Sequence, residues 1–508
     1  MTVQAWLDPL YDAAGMSAAD RWAIEEAGVP SLELMETAGR GLADLAIGLA
    51  RPGVVTVVCG KGNNGGDGLV AARWLSQAGL DVEVVLLWPG ESLSPDAAAN
   101  LERLEGVAVG EGVAALDPGG RTGLVLDAIF GTGFEGEPRE PAAGAIRLIN
   151  ESDAPVLACD IPSGVDASTG RASLAVKADL TGTFHGAKLG HFIRPGKGLT
   201  GSLQVLGIGI PEGAPVADAG GLVTGRVLDL LPERGPDSTK FSSGRVSLVG
   251  GSRGLTGALT LASRGAIRAG AGYATAVLPG SLEPEVGPAQ AEVMTVACPE
   301  SGSEGALGPD ALETVLEHCE GAATVVLGSG MGRAEATGRL VRELVPRLAV
   351  PLVVDADALS LLGDDPEPLL ARDHPTVITP HPGEMGRLLG VSTDEVEADR
   401  LGSYRGQAER GGAVVVLKGD DSIICGERQV AVNDLASPAL ATAGTGDVLA
   451  GVCGAFMARG LAPFEAASAS VYAHAKAGRI AARRVGSAEG VIASDVVEAL
   501  PEAIRRDD

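Results

Sequence analysis

The stretch VVTVVCGKGNNGGDGLVAARWLSQAGLDVEVVLLW, residues 54–88, reads as an apolar strand, a glycine-rich turn, a helix and a second apolar strand. Strands that are apolar on both faces and joined through a helix fit a parallel sheet covered on both sides. The pattern continues through GLVLDAIFG (123–131), APVLACDIPSG (154–164) and SLQVLGIGI (202–210). The expected fold of this half is α/β, a Rossmann-like doubly wound domain. Residues 1–50, which precede the first of these strands, read as helical. Between 211 and 239 the chain turns rich in Pro, Gly and Ala, the composition of an exposed connection. The boundary is placed near Asp218, giving domains 1–218 and 219–508. A second β-α alternation starts at GRVSLVGGS (244–252) and runs through TVVLGSGMG, VPLVVDADAL, PTVITPHPGE and AVVVLKGDD to a helical C-terminus. It is read as a different α/β domain, since no short-period repeat relates the halves.

Composition sets outer limits on function. The 508 residues exceed a prior of roughly 100–200 per domain, in keeping with two cores. Hydrophobic residues at 45% and charged residues at 21% describe a soluble globular chain. Lys and Arg number 39 against 66 Asp and Glu, and a net charge of −27 repels phosphate backbones and anionic lipid. Nucleic acid and membrane are therefore excluded as expected partners. The six cysteines lie far apart with no CxxC pair, which reads as reduced, buried thiols and no structural zinc. The first basic residue, Arg21, follows three aspartates, which suits neither a secretory nor a transit segment. A cytoplasmic location is expected.

The motifs that carry chemistry sit at strand ends. GKGNNGGDGLVAAR (60–73) sets backbone N–H groups at a helix N-terminus, where anions bind, yet it matches neither GxGxxG nor a P-loop. A structural turn is the plain alternative. Asn63, Asn64 and Asp67 argue against it, because three oxygen-bearing side chains in one loop can hold a cation or sugar hydroxyls. Asp127, Asp160, Ser163 and Asp166 end later strands, where an open parallel sheet binds ligands. Oxygen donors without His or Cys favour an alkali or alkaline-earth ion. Lys188, in TFHGAKLG, is read as solvated. In the second half, ATAGTGDVLAGV (441–452) carries Asp447 from a glycine turn into a helix, an arrangement for moving a phosphoryl group onto a hydroxyl. An N-cap role is the alternative. Lys418, Gly419 and Asp420 could hold nucleotide phosphates and Mg²⁺. His381, between two prolines, is either structural or a ligand contact.

Taken in order, LMETAGR, GNNGGDGLVAAR, LDAIFGTGF and DIPSGVDASTG, then GRVSLVGGSRGLTGA, RAGAGYAT, LGSGMGR, VVDADAL, TPHPGEMGRLLG, VLKG, NDLASPALATAGTGDVLAG and GVIASDVVEALPEA, resemble one family across nearly the whole chain. That family is the bifunctional NAD(P)H-hydrate repair enzymes, an epimerase fused to an ADP- or ATP-dependent dehydratase of ribokinase-like fold. The resemblance implies substrates NADHX and NADPHX, in which water has added to C6 of the nicotinamide ring. It implies an isomerase that interconverts the R and S forms and a lyase that dehydrates the S form. By the same resemblance, the epimerase binds hydrate through Asn63, Asn64, Gly65, Gly66 and Asp67 and through Gly131, Thr132, Gly133, Phe134, Glu135, Gly136 and Glu137. Asp160 is the acid–base residue, and K⁺ is held by Asn64, Asp127 and Ser163. In the dehydratase, Ala258, Gly330, His381 and Asp447 match the hydrate site, with Asp447 as base. Lys418, Gly419, Asp420, Asp421, Ser422 and Gly446 match the nucleotide site, with Mg²⁺ accompanying ADP or ATP. Further copies of the chain in a homo-oligomer complete the expected partners.

Some positions depart from the commoner family pattern. Ser329 and Met331 stand where Pro and Leu are usual, Thr445 replaces Ser in GTGD, and His185 interrupts a TFGA-type loop. Asp420 and Asp421 are the serious change, since two carboxylates beside a diphosphate repel it unless a cation compensates. Two other readings remain open at this point. A ribokinase-like kinase of a thiazole or pyrimidine alcohol would release a stable phosphate ester, and a non-catalytic nucleotide-binding scaffold would not need Asp160 and Asp447.

Overall fold

The computed structural model describes residues 4–116, 121–211, 213–214, 219–301, 305–403, 412–427 and 429–506. Asp218, where the sequence places the domain boundary, lies outside the described residues. The chain divides into two compact units. One comprises residues 1–3 and 9–220, the other residues 4–8 and 221–508.

The first unit is built on a seven-stranded sheet. Its strands, in spatial order, are β4 (Ala108–Glu111), β3 (Val82–Leu86), β2 (Val54–Cys59), β5 (Thr122–Ala128), β6 (Val156–Cys159), β7 (Leu180–Phe184) and β8 (Ser202–Leu206). Every pairing is parallel. The apolar run VVTVVC is buried at all six positions, whereas the edge strands β4 and β8 are largely exposed. This is the burial that parallel strands between helical layers require. The chain leaves β2 toward β3 on one side and β5 on the other, so a crevice opens beyond the ends of β2 and β5. The leading residues are less uniform than the helical reading: β1 (Leu7–Leu10) precedes helices Ala13–Glu25 and Ser31–Leu49. The second helix buries Leu34, Met35, Ala38, Leu42, Ala43 and Ala46, one stripe at helical spacing.

The second unit carries an eleven-stranded sheet whose edge is β1 and then β9 (Gly220–Val223). Next come β20 (Val430–Asn433), β19 (Ser422–Cys425), β18 (Val414–Leu417), β17 (Thr376–Ile378), β16 (Leu352–Val354), β15 (Thr324–Leu327), β10 (Arg245–Val249), β11 (Tyr273–Pro279) and β12 (Met294–Cys298). Strands β10 to β12 and β15 to β18 pair in parallel, and β18, β19 and β20 form an antiparallel meander. A small ribbon pairs β13 (Glu300–Ser301) with β14 (Ala306–Leu307). The KGDD segment is therefore the turn of the β18–β19 hairpin. Here too the strand order reverses, between β10 and β15. All six cysteines are buried free thiols.

The turn after β2 admits no side chain at its first residue. A Cβ on Gly60 would stand 1.9 Å from the Ile129 carbonyl oxygen, whereas one on Gly62 would meet nothing within 4 Å. Gly60→Ala should therefore cost about 1–3 kcal/mol through backbone displacement. Gly62→Ala should leave the denaturation midpoint nearly unchanged, and urea titration of both variants checks the contrast.

Candidate active sites

In the first unit, Asn63, Asp67, Thr132 and Asp160 line one cavity of about 120 Å³. Asp160 follows β6 with φ +68°, a conformation L residues rarely adopt, and is 5% exposed. Its Oδ1 accepts from Lys188 Nζ at 2.5 Å, Thr183 Oγ1 at 3.1 Å and the Phe184 N–H at 3.2 Å, and Oδ2 accepts from the Thr132 N–H at 3.3 Å. Lys188 is not solvated as the sequence reading has it: it is fully buried, lines the cavity, and donates also to Thr183 Oγ1 at 2.7 Å and to the Phe184 carbonyl at 3.1 Å. The correction is electrostatic, since a buried ammonium persists only against an anion and Asp160 supplies it. Burial opposes the Asp160 charge, but Lys188 outweighs it and holds the carboxyl below its usual range.

Two further groups frame this pair, neither visible as a motif. His191 Nδ1 accepts from the Lys188 N–H at 3.0 Å, and Nε2 donates to the Asp160 carbonyl at 3.0 Å. Burial, then Lys188, pushes its ring down to about 3, so it stays neutral and fixes the loop. Asp20, on helix Ala13–Glu25, also lines the cavity and is raised to about 6 by burial and then by Asp160. Asp67 is 9% exposed, and burial followed by Asp160 and Asp20 raises it well above the usual range.

Asn64, Asp127 and Ser163 gather beside this cavity without lining it. Ser163 donates to Asp127 through Oγ at 2.6 Å and N–H at 2.8 Å, and Asn64 Oδ1 accepts from Cys159 Sγ at 3.1 Å. Asp127 is fully buried among neutral donors, and burial raises it to about 6. Gly131 packs against Asn64, where an added Cβ would fall 2.9 Å from Oδ1. Phe134 stacks on Phe130 with centroids 4.7 Å apart. Gly133, Glu135, Gly136 and Glu137 are exposed and stand outside the cavity lining. Gly65 and Gly66 permit close packing on Gly60 and Met35, respectively.

In the second unit, Lys418, Gly419, Asp420, Ser422 and Gly446 line a second cavity, of about 470 Å³. Asp421 does not, which corrects its placement among nucleotide-facing side chains. It is fully buried and paired with Arg400, whose Nη2 lies 2.9 Å from Oδ1 and whose Nε lies 3.1 Å from Oδ2. The expected repulsion of phosphate by two adjacent acids is thereby reduced to one carboxylate, Asp420.

Asp447 occupies the first turn of helix Thr445–Ala458, whose cap Gly444 has φ +89°. It follows Gly446 and faces Ser329, Lys418, Asp355 and Asp357. Burial, then Asp355, raises it to about 6, while Ser329 and Lys418 act in the opposite sense. Lys418 Nζ stands 2.9 Å from Asp355 Oδ1, 3.8 Å from Glu384 Oε2 and 3.5 Å from the position of a Cβ on Gly446. Burial disfavours its charge, yet Asp355 and Glu384 together keep it above the usual lysine value. Gly330 and Ala258 are in contact, with a built Cβ of Gly330 3.1 Å from that of Ala258. His381 caps helix Pro382–Leu389, its Nδ1 accepting from the Gly383 N–H at 3.0 Å, while half its side chain stays exposed. Asp355 and Glu384 were absent from the sequence-derived site. Asp355 could have been found as the first acid of VVDAD, directly after an apolar strand, whereas Glu384 has no signal beyond its place after His381.

Arg400→Met leaves Asp421 buried without its cation and should cost about 3–5 kcal/mol. Arg400→Met combined with Asp421→Leu should recover most of that loss, and a chemical-denaturation cycle over the three variants measures it.

A family profile described as NAD(P)H-hydrate dehydratase matches residues 246–502, and one described as YjeF-related protein N-terminus matches residues 31–190. The bifunctional NAD(P)H-hydrate repair enzyme of Moorella thermoacetica is 40% identical over 517 residues, covering 98% of this chain and 96% of that protein. Its counterpart in Escherichia coli is 32% identical over 463 residues, covering 88% and 84%. Among solved structures, an ADP/ATP-dependent NAD(P)H-hydrate dehydratase from Bacillus subtilis, co-crystallised with ATP and Mg²⁺, aligns over 56% of this chain and 96% of its own, at 27% identity and a TM-score of 0.49. The chain belongs to the family of bifunctional NAD(P)H-hydrate repair enzymes.

Proposed function

We propose that the second unit phosphorylates the C6 hydroxyl of the S hydrate of NADH or NADPH, using ADP or ATP, and that the first unit converts the R hydrate into the S form. The observation that carries this reading is the placement of Asp447, a half-buried carboxylate at a helix N-terminus directly after a glycine that lines the second cavity. Asp447 takes the proton of the C6 hydroxyl, and the freed oxygen attacks the terminal phosphorus of the nucleotide. AMP leaves when ADP is used, and ADP leaves when ATP is used. The ring-nitrogen lone pair then expels phosphate by breaking C6–O, and loss of a C5 proton restores the dihydronicotinamide. Lys418 and the N–H groups around Gly446 supply positive potential for the phosphates. Asp420, the one carboxylate among the described residues that line the cavity, is suited to a Mg²⁺ ion, which would neutralise phosphate charge.

In the first unit, we assign to Asp160, kept ionised by Lys188, removal of the C6 hydroxyl proton as the ring C6–N bond breaks to an open-chain aldehyde, and passage of that proton to the ring nitrogen; the reverse steps close the ring on the other face, with Asp67 and Asp20 as neighbouring acids. The oxygen-only set of Asn64, Asp127 and Ser163 suits K⁺, because Asp127 is a buried carboxylate whose donors are all neutral. K⁺ would supply the missing positive charge and fix the loop after β5. Six free buried thiols support placing the enzyme in the cytoplasm.

With a mixture of both hydrates and ADP, the native enzyme should restore all the reduced cofactor. Asp160→Asn should stop once the S form is consumed, and Asp447→Asn should restore none; nicotinamide absorbance follows both. The dehydratase rate should fall as pH drops through about 6, where Asp447 gains a proton. The folded pKa of Asp447 lies above the ordinary carboxylate value, so its ionisation destabilises the fold increasingly as pH rises from 3.8 to about 6. Asp447→Asn should therefore gain stability over the native protein at pH 8 and show no such gain below pH 3.8 in denaturation experiments. Lys188→Met should slow epimerisation by roughly a hundredfold and move its acid limb to higher pH, while dehydration of the S form continues.

A further inference from the structure

The cavity of the second unit holds two buried polar atoms without partners among the described residues, and both are hydrogen-bond acceptors. Asn433, the last residue of β20, is 3% exposed, and its Oδ1 has no donor. His474, on helix Pro463–Val485, is 7% exposed, and its Nε2 has no partner. Both side chains line the same cavity as Lys418, Gly419 and Gly446. Native proteins seldom leave such atoms unpaired, so two in one cavity point to a ligand that carries donors.

The state of the His474 ring follows from its other nitrogen. The Thr445 backbone favours the protonated ring, the sense of an acceptor facing it, and with Nε2 unpartnered the single ring proton belongs on Nδ1. Burial, and then the positive charge of Lys418, pushes His474 down to about 4, which leaves a single ring proton at neutral pH. Nε2 is then a lone pair. Phosphate cannot satisfy it or Asn433, since phosphate oxygens are themselves acceptors; they suit Lys418 and the N–H groups of the two glycine turns. The part of a nucleotide that offers donors is the nucleoside, through ribose hydroxyls or an exocyclic amine. Leu435, Leu440, Leu449 and Val471 line the rest of the cavity and suit the flat faces of a base.

We propose that Asn433 and His474 form a two-acceptor clamp that reads hydrogen-bond donors on the nucleoside half of the phosphoryl donor. This rests on the second unit taking ADP or ATP, as proposed above. The clamp makes the site selective for nucleotides that present those donors and penalises analogues that leave an acceptor unpaired.

Calorimetric titration of the full-length protein with ADP, IDP, 2′-deoxy-ADP and 3′-deoxy-ADP tests it. The native protein should bind ADP roughly tenfold or more tightly than at least one analogue. Weak IDP binding assigns the clamp to the amine, and weak deoxynucleotide binding assigns it to the ribose. His474→Phe and Asn433→Leu, each similar in size but lacking the acceptor, should lower ADP affinity to that of the rejected analogue. His474→Gln, which keeps an acceptor, should retain part of the preference. Each ratio compares ligands on one folded protein, and the two positions give independent readings should one variant not fold. Equal affinity of the native protein for all four nucleotides, or an unchanged preference in both acceptor-free variants, would overturn the clamp. Failure of ADP and ATP to bind at all would instead overturn the nucleotide reading on which it rests.

Discussion

The Lys418 ammonium stands 2.9 Å from Asp355, near Glu384, and beside Gly446 in the first turn of the helix that carries Asp447. Three carboxylates share this one cation. Burial raises both Glu384 and Asp447, Asp355 adds to the rise in each, and Lys418 offsets it only in part. A base meant to take a proton from an alcohol gains from such a shift, because a more basic carboxylate transfers the proton more readily while still ionised at neutral pH. The first unit repeats the plan with Lys188 among Asp160, Asp67 and Asp20. There the lysine sits directly on Asp160 and holds it ionised, while Asp67 and Asp20 rise. In each unit burial raises the neighbouring carboxylates, and the lysine's position decides which of them is offset most.

A chain with net charge −27 has to manage repulsion of its own polyanionic substrates. The β18–β19 turn shows how. Of its two adjacent acids, Asp421 is sequestered by the buried Arg400 guanidinium and only Asp420 reaches the cavity. The hairpin can therefore lie along a diphosphate with Lys418 as its dominant charge. In the first unit the glycine turn after β2 brings no acid of its own before Asp67, and its first residue is pressed on the Ile129 carbonyl.

Much of this was readable from sequence, for identifiable reasons. Fully apolar strands followed by glycine turns specify parallel sheets, and their ends singled out Asp160, Asp127, Ser163, Lys418 and Asp447 by position; of these, Asp160 lines the first cavity and Lys418 the second. Side-chain direction was not readable. Asp421 is adjacent to Asp420, and only Arg400, distant in sequence, decides that it turns inward. Lys188 was misjudged as solvated because its burial depends on Asp160 and Thr183, brought to it by sheet pairing of β6 with β7. Asp20 and His474 lie inside helices without glycine-rich punctuation, and His191 and Asn433 stand at the edges of quoted motifs with nothing in the sequence to show what they face.

Dehydration by this route requires the C6 hydroxyl oxygen to be transferred to phosphorus before it leaves. Hydrate labelled with ¹⁸O at that hydroxyl, supplied with unlabelled ADP, tests this directly by mass analysis of the products. The label is expected in the inorganic phosphate released. Label appearing in water, with phosphate unlabelled, would show that the hydroxyl departs without being phosphorylated and would contradict the role given to Asp447.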